Sequence, residues 1–167
     1  MQSLELVKRF VNLRYGFGTE LNNYHFRSPV SFRENGIIPY GGGSQTNQPF
    51  VFRDSIAFSK NKLAADYFTI PLMLEFTTAP RTQKPVFSAA FGVSGGYLYS
   101  QRNKQKSPQR GKQKNKGDYD MDRFKLSYIG ELGIGRLHLY GNYTPKSIFG
   151  KNLDLRPYAI GIRIKNL

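Results

Sequence analysis

The sequence predicts an all-β protein, an antiparallel up-and-down meander that forms a transmembrane β-barrel in one domain, residues 1–167. Three observations lead to this fold class: six segments alternate apolar and polar side chains, their connections alternate in length, and the less apolar face carries charges and glycines. Successive side chains of a strand point to opposite faces, so period-two alternation marks a strand with two different environments. The alternation is clearest in residues 156–165, where Tyr158, Ile160, Ile162 and Ile164 share one face.

The six segments follow one another along the whole chain. In order, they are residues 10–24, 63–78, 86–100, 123–134, 137–143 and 156–165. Within the second segment, Pro71 cannot donate a hydrogen bond to a neighbouring strand, which predicts a bulge or a locally unpaired site. Between the fourth and fifth, Gly135-Arg136 predicts a tight hairpin turn.

The connections sort into long and short ones. The long connections are residues 27–61, where a short strand is expected at 54–58, and residues 101–122. The short connections are 79–85 and Gly135-Arg136, and the last connection, through 151–152, is intermediate in length. In a meander, alternate connections emerge at opposite ends, so the long ones share one end. Outer-membrane barrels have long external loops and short periplasmic turns. This orientation predicts a Gram-negative outer-membrane protein with its C-terminus on the periplasmic side.

Composition narrows the classes of protein further. The absence of cysteine excludes a disulfide scaffold and a thiolate metal site. No apolar run of about 18 residues exists, which excludes a membrane-spanning helix. The formal net charge of +14 is typical of proteins with acidic partners. The first nine residues lack the apolar region of a signal peptide, so the chain is either not exported by that route or is processed or truncated.

Charged side chains fall on the face opposite the apolar one and would project into the lumen of a barrel. Isolated buried charges are costly, so we expect acids and bases to pair there. The predicted lumen network comprises Arg14, Glu20, Glu75, Lys125, Glu131, His138 and Arg163. A soluble barrel of this size would instead fill its interior with apolar side chains. A soluble β-sandwich or lipocalin-like barrel that binds acidic ligands is the alternative interpretation.

The apolar face would meet lipid, with tyrosines at the two interfaces. The candidate interfacial tyrosines are Tyr24, Tyr97, Tyr99, Tyr128, Tyr143 and Tyr158.

A strongly basic run lies in the second long connection. Its cations are Arg102, Lys104, Lys106, Arg110, Lys112, Lys114 and Lys116, with no acid among residues 101–117. We favour a solvated, disordered external loop, and the alternative is a patch that contacts anions such as the phosphates of lipopolysaccharide. The run has no aromatic residue for base stacking, which argues against a nucleic-acid partner. The expected partners are outer-membrane lipid, lipopolysaccharide and other envelope proteins.

No motif predicts a catalytic, cofactor-binding or metal site. The glycine-rich stretch 130–135 resembles a phosphate loop but lies in a strand with no helix after it. The two histidines, His25 and His138, lack the spacing of a metal site. One enzymatic alternative remains: Ser127 and His138 on adjacent strands could serve a lipid-modifying hydrolase. We expect no cofactor and no enzymatic activity.

Several stretches resemble a known family in their order and spacing. They are ELNNYHF at 20–26, FTIPLMLEF at 68–76, GVSGGY at 92–97, YGNYTPKSIF at 140–149 and RPYAIGI at 156–162. Together they are similar to the Bacteroidetes outer-membrane β-barrel family that includes PorT. The resemblance implies a small barrel, commonly of about eight strands, and a link to protein secretion or envelope assembly. The six segments fall short of that number.

Overall fold

The structure is a computed structural model that describes residues 2–7, 10–39, 43–78, 87–150 and 153–164. The predicted connections at 79–85 and 151–152 lie outside the described residues. The strands are β1 (Gln2–Val7), β2 (Val11–Tyr15), β3 (Gly18–His25), β4 (Val30–Arg33), β5 (Gly36–Ile37), β6 (Gln45–Thr46), β7 (Phe50–Arg53), β8 (Lys60–Thr77), β9 (Phe87–Ser107), β10 (Gly111–Lys116), β11 (Phe124–Ile134), β12 (Leu137–Tyr143) and β13 (Tyr158–Ile164). Within these ranges, no helix has the length and hydropathy to cross a membrane.

Nine of the strands form one antiparallel sheet in the order β1-β2-β8-β9-β11-β12-β13, with β3 also beside β8 and β10 beside β9. This arrangement confirms the predicted all-β meander. Strands β2 and β3 are two parts of one path along β8, and their ladder is interrupted beside Ile70 and Pro71. The interruption is the locally unpaired site that Pro71 predicts, because proline has no N–H to donate.

The meander has seven consecutive members, one more than the sequence predicts. The additional member is β1, which pairs with β2 and is too short for its alternation to stand out. Consecutive members alternate in direction, so β1 and β13 at the two edges run the same way. An all-antiparallel barrel needs an even number of strands. Over the described residues, the sheet is therefore open and curled, and the predicted closure of the barrel is not reached.

The curl separates two faces of opposite character. On the convex face, Phe124, Ile160 and Ile162 are 73–75 % exposed. Many further apolar side chains are exposed around them, far more than a water-soluble surface carries. We call this surface the apolar band; it includes Phe68–Phe76 of β8 and Phe87–Tyr99 of β9.

Five of the six candidate interfacial tyrosines lie on the convex face and are exposed; they are Tyr97, Tyr99, Tyr128, Tyr143 and Tyr158. Tyr24 does not. It packs against the buried interior, because along β3 it has the same parity as the inward-facing Glu20. Its assignment to the interface was therefore wrong.

An apolar cluster fills the long-connection end of the concave face. This mouth cluster consists of Phe32, Leu63, Ala65, Tyr67, Leu98, Tyr119, Met121, Ile148 and Phe149. The long connection 27–61 builds part of it, because β4 pairs with β7 and β5 pairs with β6. The short strand expected at 54–58 lies instead at Phe50–Arg53. The ring of Phe32 stacks on that of Phe149 with centroids 6.2 Å apart. The interior is thus apolar at this end and charged farther along the strands.

Candidate functional site

The seven ionisable residues expected in the lumen lie on the concave face and form two groups. In the first, the Arg14 guanidinium of β2 lies 3.3 Å from the carboxylate of Glu75 and 3.3 Å from that of Glu131. All three side chains are at most 6 % exposed. Arg14 therefore joins β2, β8 and β11 across the curl of the sheet.

Glu131 is the centre of this first group. Its carboxylate also lies 3.0 Å from Nδ1 of His138 and 2.9 Å from Nη1 of Arg163. The Arg163 guanidinium rests over the ring of Tyr140, 4.5 Å from its centroid. The two arginines balance the two carboxylates, which is the condition for keeping Glu75 and Glu131 buried.

The strand register explains why the two carboxylates can share Arg14. Glu75, Ala90 and Glu131 occupy one row across β8, β9 and β11. The small Ala90 side chain between them leaves room for the guanidinium. One row beyond Glu131, Gly133 lies opposite His138. A Cβ atom at Gly133 would come 2.0 Å from Nδ1 of His138, so the glycine makes space for the imidazole beside Glu131.

The second group lies between the first group and the mouth cluster. Nζ of Lys125 is 2.7 Å from Glu20 and 4.4 Å from the ring centroid of Tyr67. A cation beside a carboxylate and over an aromatic face is stabilised by both contacts. The group therefore links the charged part of the interior to its apolar end.

The geometry gives the enzymatic alternative no support. Oγ of Ser127 is 2.7 Å from Oγ1 of Thr144, whereas His138 contacts Glu131 and lies opposite Gly133. Ser127 and Gly133 are about 20 Å apart along β11, at about 3.3 Å per residue. Ser127 and His138 are thus too far apart to act as nucleophile and base. In the part of the chain that the structure describes, His, Cys, Asp and Glu side chains form no group of three that could hold a metal ion.

The basic run is a β-hairpin, so the favoured prediction of a disordered loop was wrong. Strand β9 continues to Ser107, and all of β10 pairs with it, from Gly111 opposite Ser107 to Lys116 opposite Arg102. The turn between them is closed by Gly111, whose φ of 64° suits glycine. A period-two signal was present in the sequence: cations at 102, 104, 106 and again at 112, 114, 116 alternate with Asn and Gln.

A bulge in β9 decides which way the cations point. The pairing with β8 shifts between Asp66 and Tyr67, so that Tyr99 is an extra residue. Before the bulge, odd-numbered residues such as Tyr97 face outward; after it, even-numbered ones do. Gln105, on the inner face, donates hydrogen bonds to the backbone oxygen of Val30 (3.1 Å) and to Oγ of Ser31 (3.0 Å).

The cations of the hairpin and of the adjacent end of β8 therefore share the convex face. We call them the outer-face cations: Lys60, Lys62, Arg102, Lys104, Lys106, Lys112, Lys114 and Lys116. Lys60 and Lys62 were not predicted, because only the strand register shows that they lie beside the run. Arg110, which was predicted with the run, instead contacts Asp54 at 3.3 Å.

Asp54 holds the long connection 27–61 against the hairpin. Its carboxylate accepts hydrogen bonds from Oγ of Ser31 (2.9 Å) and the backbone N–H of Ile56 (3.2 Å). Burial favours the neutral acid, but these hydrogen bonds and the Arg110 guanidinium outweigh it and lower the pKa of the Asp54 carboxyl below its ordinary value. No pattern in the sequence predicted this contact, since it joins residues far apart in the chain.

A family model described as "Outer membrane protein beta-barrel domain" matches residues 4–154. No curated protein and no solved structure matches the chain.

Proposed function

This chain belongs to the outer membrane protein beta-barrel domain family, and we propose from that premise that it is a non-enzymatic integral protein with a structural or accessory role. Its family makes it an outer-membrane β-barrel protein. The observation that carries the proposal is the inverted polarity of the sheet: apolar side chains such as Ile160 are exposed on the convex face, while Arg14, Glu75 and Glu131 are buried on the concave one. A soluble sandwich or barrel would show the opposite arrangement.

The interior of the barrel is filled by side chains. This favours an accessory role over a channel through which solutes diffuse. The mouth cluster occupies the long-connection end of the concave face, and the two ionic groups occupy the part beyond it. Porin-type barrels keep a water-filled lumen. Together with the resemblance to the PorT-like family of Bacteroidetes, this supports a link to protein secretion or envelope assembly through the external segments.

We propose that the long connections face the cell exterior and that the C-terminus is periplasmic. Support comes from the structure of the two ends: the long hairpin of β9 and β10 lies at one end, and the two-residue turn at Gly135-Arg136 lies at the other. Outer-membrane barrels consistently place their short turns in the periplasm.

Single-cysteine labelling tests both the membrane location and the orientation. The chain has no cysteine, so Gln109→Cys in the hairpin turn and Arg136→Cys in the short turn each add one thiol. We expect a membrane-impermeant maleimide to label Gln109→Cys on intact cells and Arg136→Cys only after permeabilisation. The reverse pattern would contradict the orientation. Release of the protein without detergent, with no heat-dependent shift in gel migration, would contradict the membrane barrel itself.

A further inference from the structure

We propose that the outer-face cations bind the phosphate groups of lipopolysaccharide in the leaflet that surrounds the long-connection end of the barrel. The inference rests on the proposed membrane location and orientation. It adds a binding partner for the outer-face cations, which those proposals do not address.

The cations form rows across three strands. Lys62, Lys104 and Lys114 face one another across β8, β9 and β10, and Lys60, Lys106 and Lys112 form the next row. Side chains directly opposite in antiparallel strands have Cβ atoms about 5 Å apart, and like charges at that distance destabilise a sheet. Such rows gain stability when an anion lies between the ammonium groups.

The strands themselves supply little neutralising charge. On this face of β8, β9 and β10, all of which are described, Asp66 is the one acid, and it pairs with Arg102. Nζ of Lys62 donates to the neutral Oδ1 of Asn23 at 2.9 Å. Desolvation, and after it the neighbouring Lys62, Arg102 and Lys114, lower the pKa of the Lys104 ammonium, and Asp66 opposes this shift. The contribution of the three cations is the one expected where like charges are crowded.

The position of the face relative to the apolar band identifies the anion as a lipid headgroup. Phe68 and Tyr99 stack with centroids 4.3 Å apart at the upper edge of the band. Beyond Tyr99, Arg102 lies about 10 Å and Lys104 about 17 Å along the strand. At a tilt of about 40° these distances correspond to heights of about 8 and 13 Å above the band, within reach of headgroup phosphates and their sugars.

The outer-face cations continue the lipid-facing surface, and this position favours lipid over other acidic partners. The outer-face cations stand on the same strands and the same face as the lipid-facing side chains, so a ligand bound there rises directly from the surrounding leaflet. These cation rows contain no aromatic side chain, in contrast to surfaces that stack nucleic-acid bases.

Calorimetric titration of the purified barrel in detergent tests the inference. The probes are phosphorylated lipid A, the same lipid A after enzymatic dephosphorylation, and sodium phosphate as a competitor. Each cation near an anionic surface contributes about fivefold in affinity. We therefore expect K62Q/K104Q/K114Q to bind phosphorylated lipid A about 100-fold more weakly than the unmodified protein does. Dephosphorylated lipid A should bind at least about tenfold more weakly.

The matched control is R27Q/R53Q/R136Q, which removes the same charge from exposed arginines outside the outer-face cations. It should bind within about threefold of the unmodified protein, and K62R/K104R/K114R should retain binding. Equal loss in both glutamine variants, equal binding of dephosphorylated lipid A, displacement by millimolar sodium phosphate, or tighter binding of polyglutamate would each overturn the inference. Heat-dependent gel migration and surface labelling of Gln109→Cys, measured on the same variants, show separately whether the proposed membrane barrel holds.

Discussion

At the residue scale, Glu131 and Arg14 carry the charged half of the interior. Glu131 contacts Arg14, His138 and Arg163, which come from three different strands. Arg14 in turn connects Glu131 to Glu75. Arg14, Glu75 and Glu131 are buried because their partners are present, so the loss of one of them leaves the others without compensation.

Replacing Arg14 with methionine should destabilise the protein strongly. The change keeps an unbranched side chain but leaves Glu75 and Glu131 short of a cation, and breaking a buried pair in this way costs about 3–5 kcal/mol. We expect a lower denaturant midpoint for unfolding of the reconstituted protein, followed by circular dichroism. Arg136→Met, in the exposed turn, is the matched control and should shift the free energy of unfolding by less than about 0.5 kcal/mol. Equal effects of the two substitutions would show that the network adds nothing to stability.

At the element scale, the connection 27–61 and the hairpin of β9 and β10 hold each other in place. The inner-face amides of Asn61 and Gln105 both donate to the backbone oxygen of Val30, at 2.6 and 3.1 Å. Asp54 adds contacts to Ser31 and Arg110. The long connection is thus ordered by side chains of the strands beside it.

Acid should release this connection. The pKa of Asp54 is lowered in the folded protein, so the stabilisation it gives is complete above the ordinary carboxyl pKa and is lost as the pH falls through the lowered one. We expect hydrogen exchange in residues 27–58, corrected for its intrinsic pH dependence, to accelerate as the pH falls below about 4. Asp54→Asn should exchange faster already at pH 7 and show little further change. Asp154→Asn, which changes an acid in the intermediate connection between β12 and β13, should behave like the unmodified protein.

Alternation within single strands was enough to predict which residues share a face. It placed Arg14, Glu75 and Glu131 on one face, and the structure brings them together. It could not give the orientation of the basic run, because the bulge at Tyr99 reverses the parity of β9 and depends on pairing with β8. Nor could it predict that Lys62 lies opposite Lys104, since strand register is set by contacts between distant parts of the chain. The high charge density of the basic run was interpreted as a sign of disorder, although its cations recur at every second residue, as they do in a strand.

At the scale of the whole molecule, the distribution of polar and apolar side chains is the reverse of that in a soluble protein. Ionic groups lie within the concave face, and Phe, Leu, Ile and Tyr side chains cover the convex one. The outer-face cations continue that convex face beyond the upper edge of the apolar band. On the same strands, the apolar band would therefore contact the acyl chains of the lipid, and the outer-face cations would contact the charged headgroups.

Tryptophan fluorescence can test this inverted polarity directly, because the chain contains no tryptophan. In vesicles, Ile160→Trp on the convex face should be strongly quenched by lipids brominated on their acyl chains. Tyr140→Trp, which pairs with Gly161 next to Ile160 but points toward Arg163, should be quenched much less. The two positions lie at nearly the same level along adjacent strands, so depth in the bilayer cannot account for a difference between them. Stronger quenching of Tyr140→Trp would mean that the concave face meets the lipid, and equal quenching would mean that the sheet does not separate lipid from an interior.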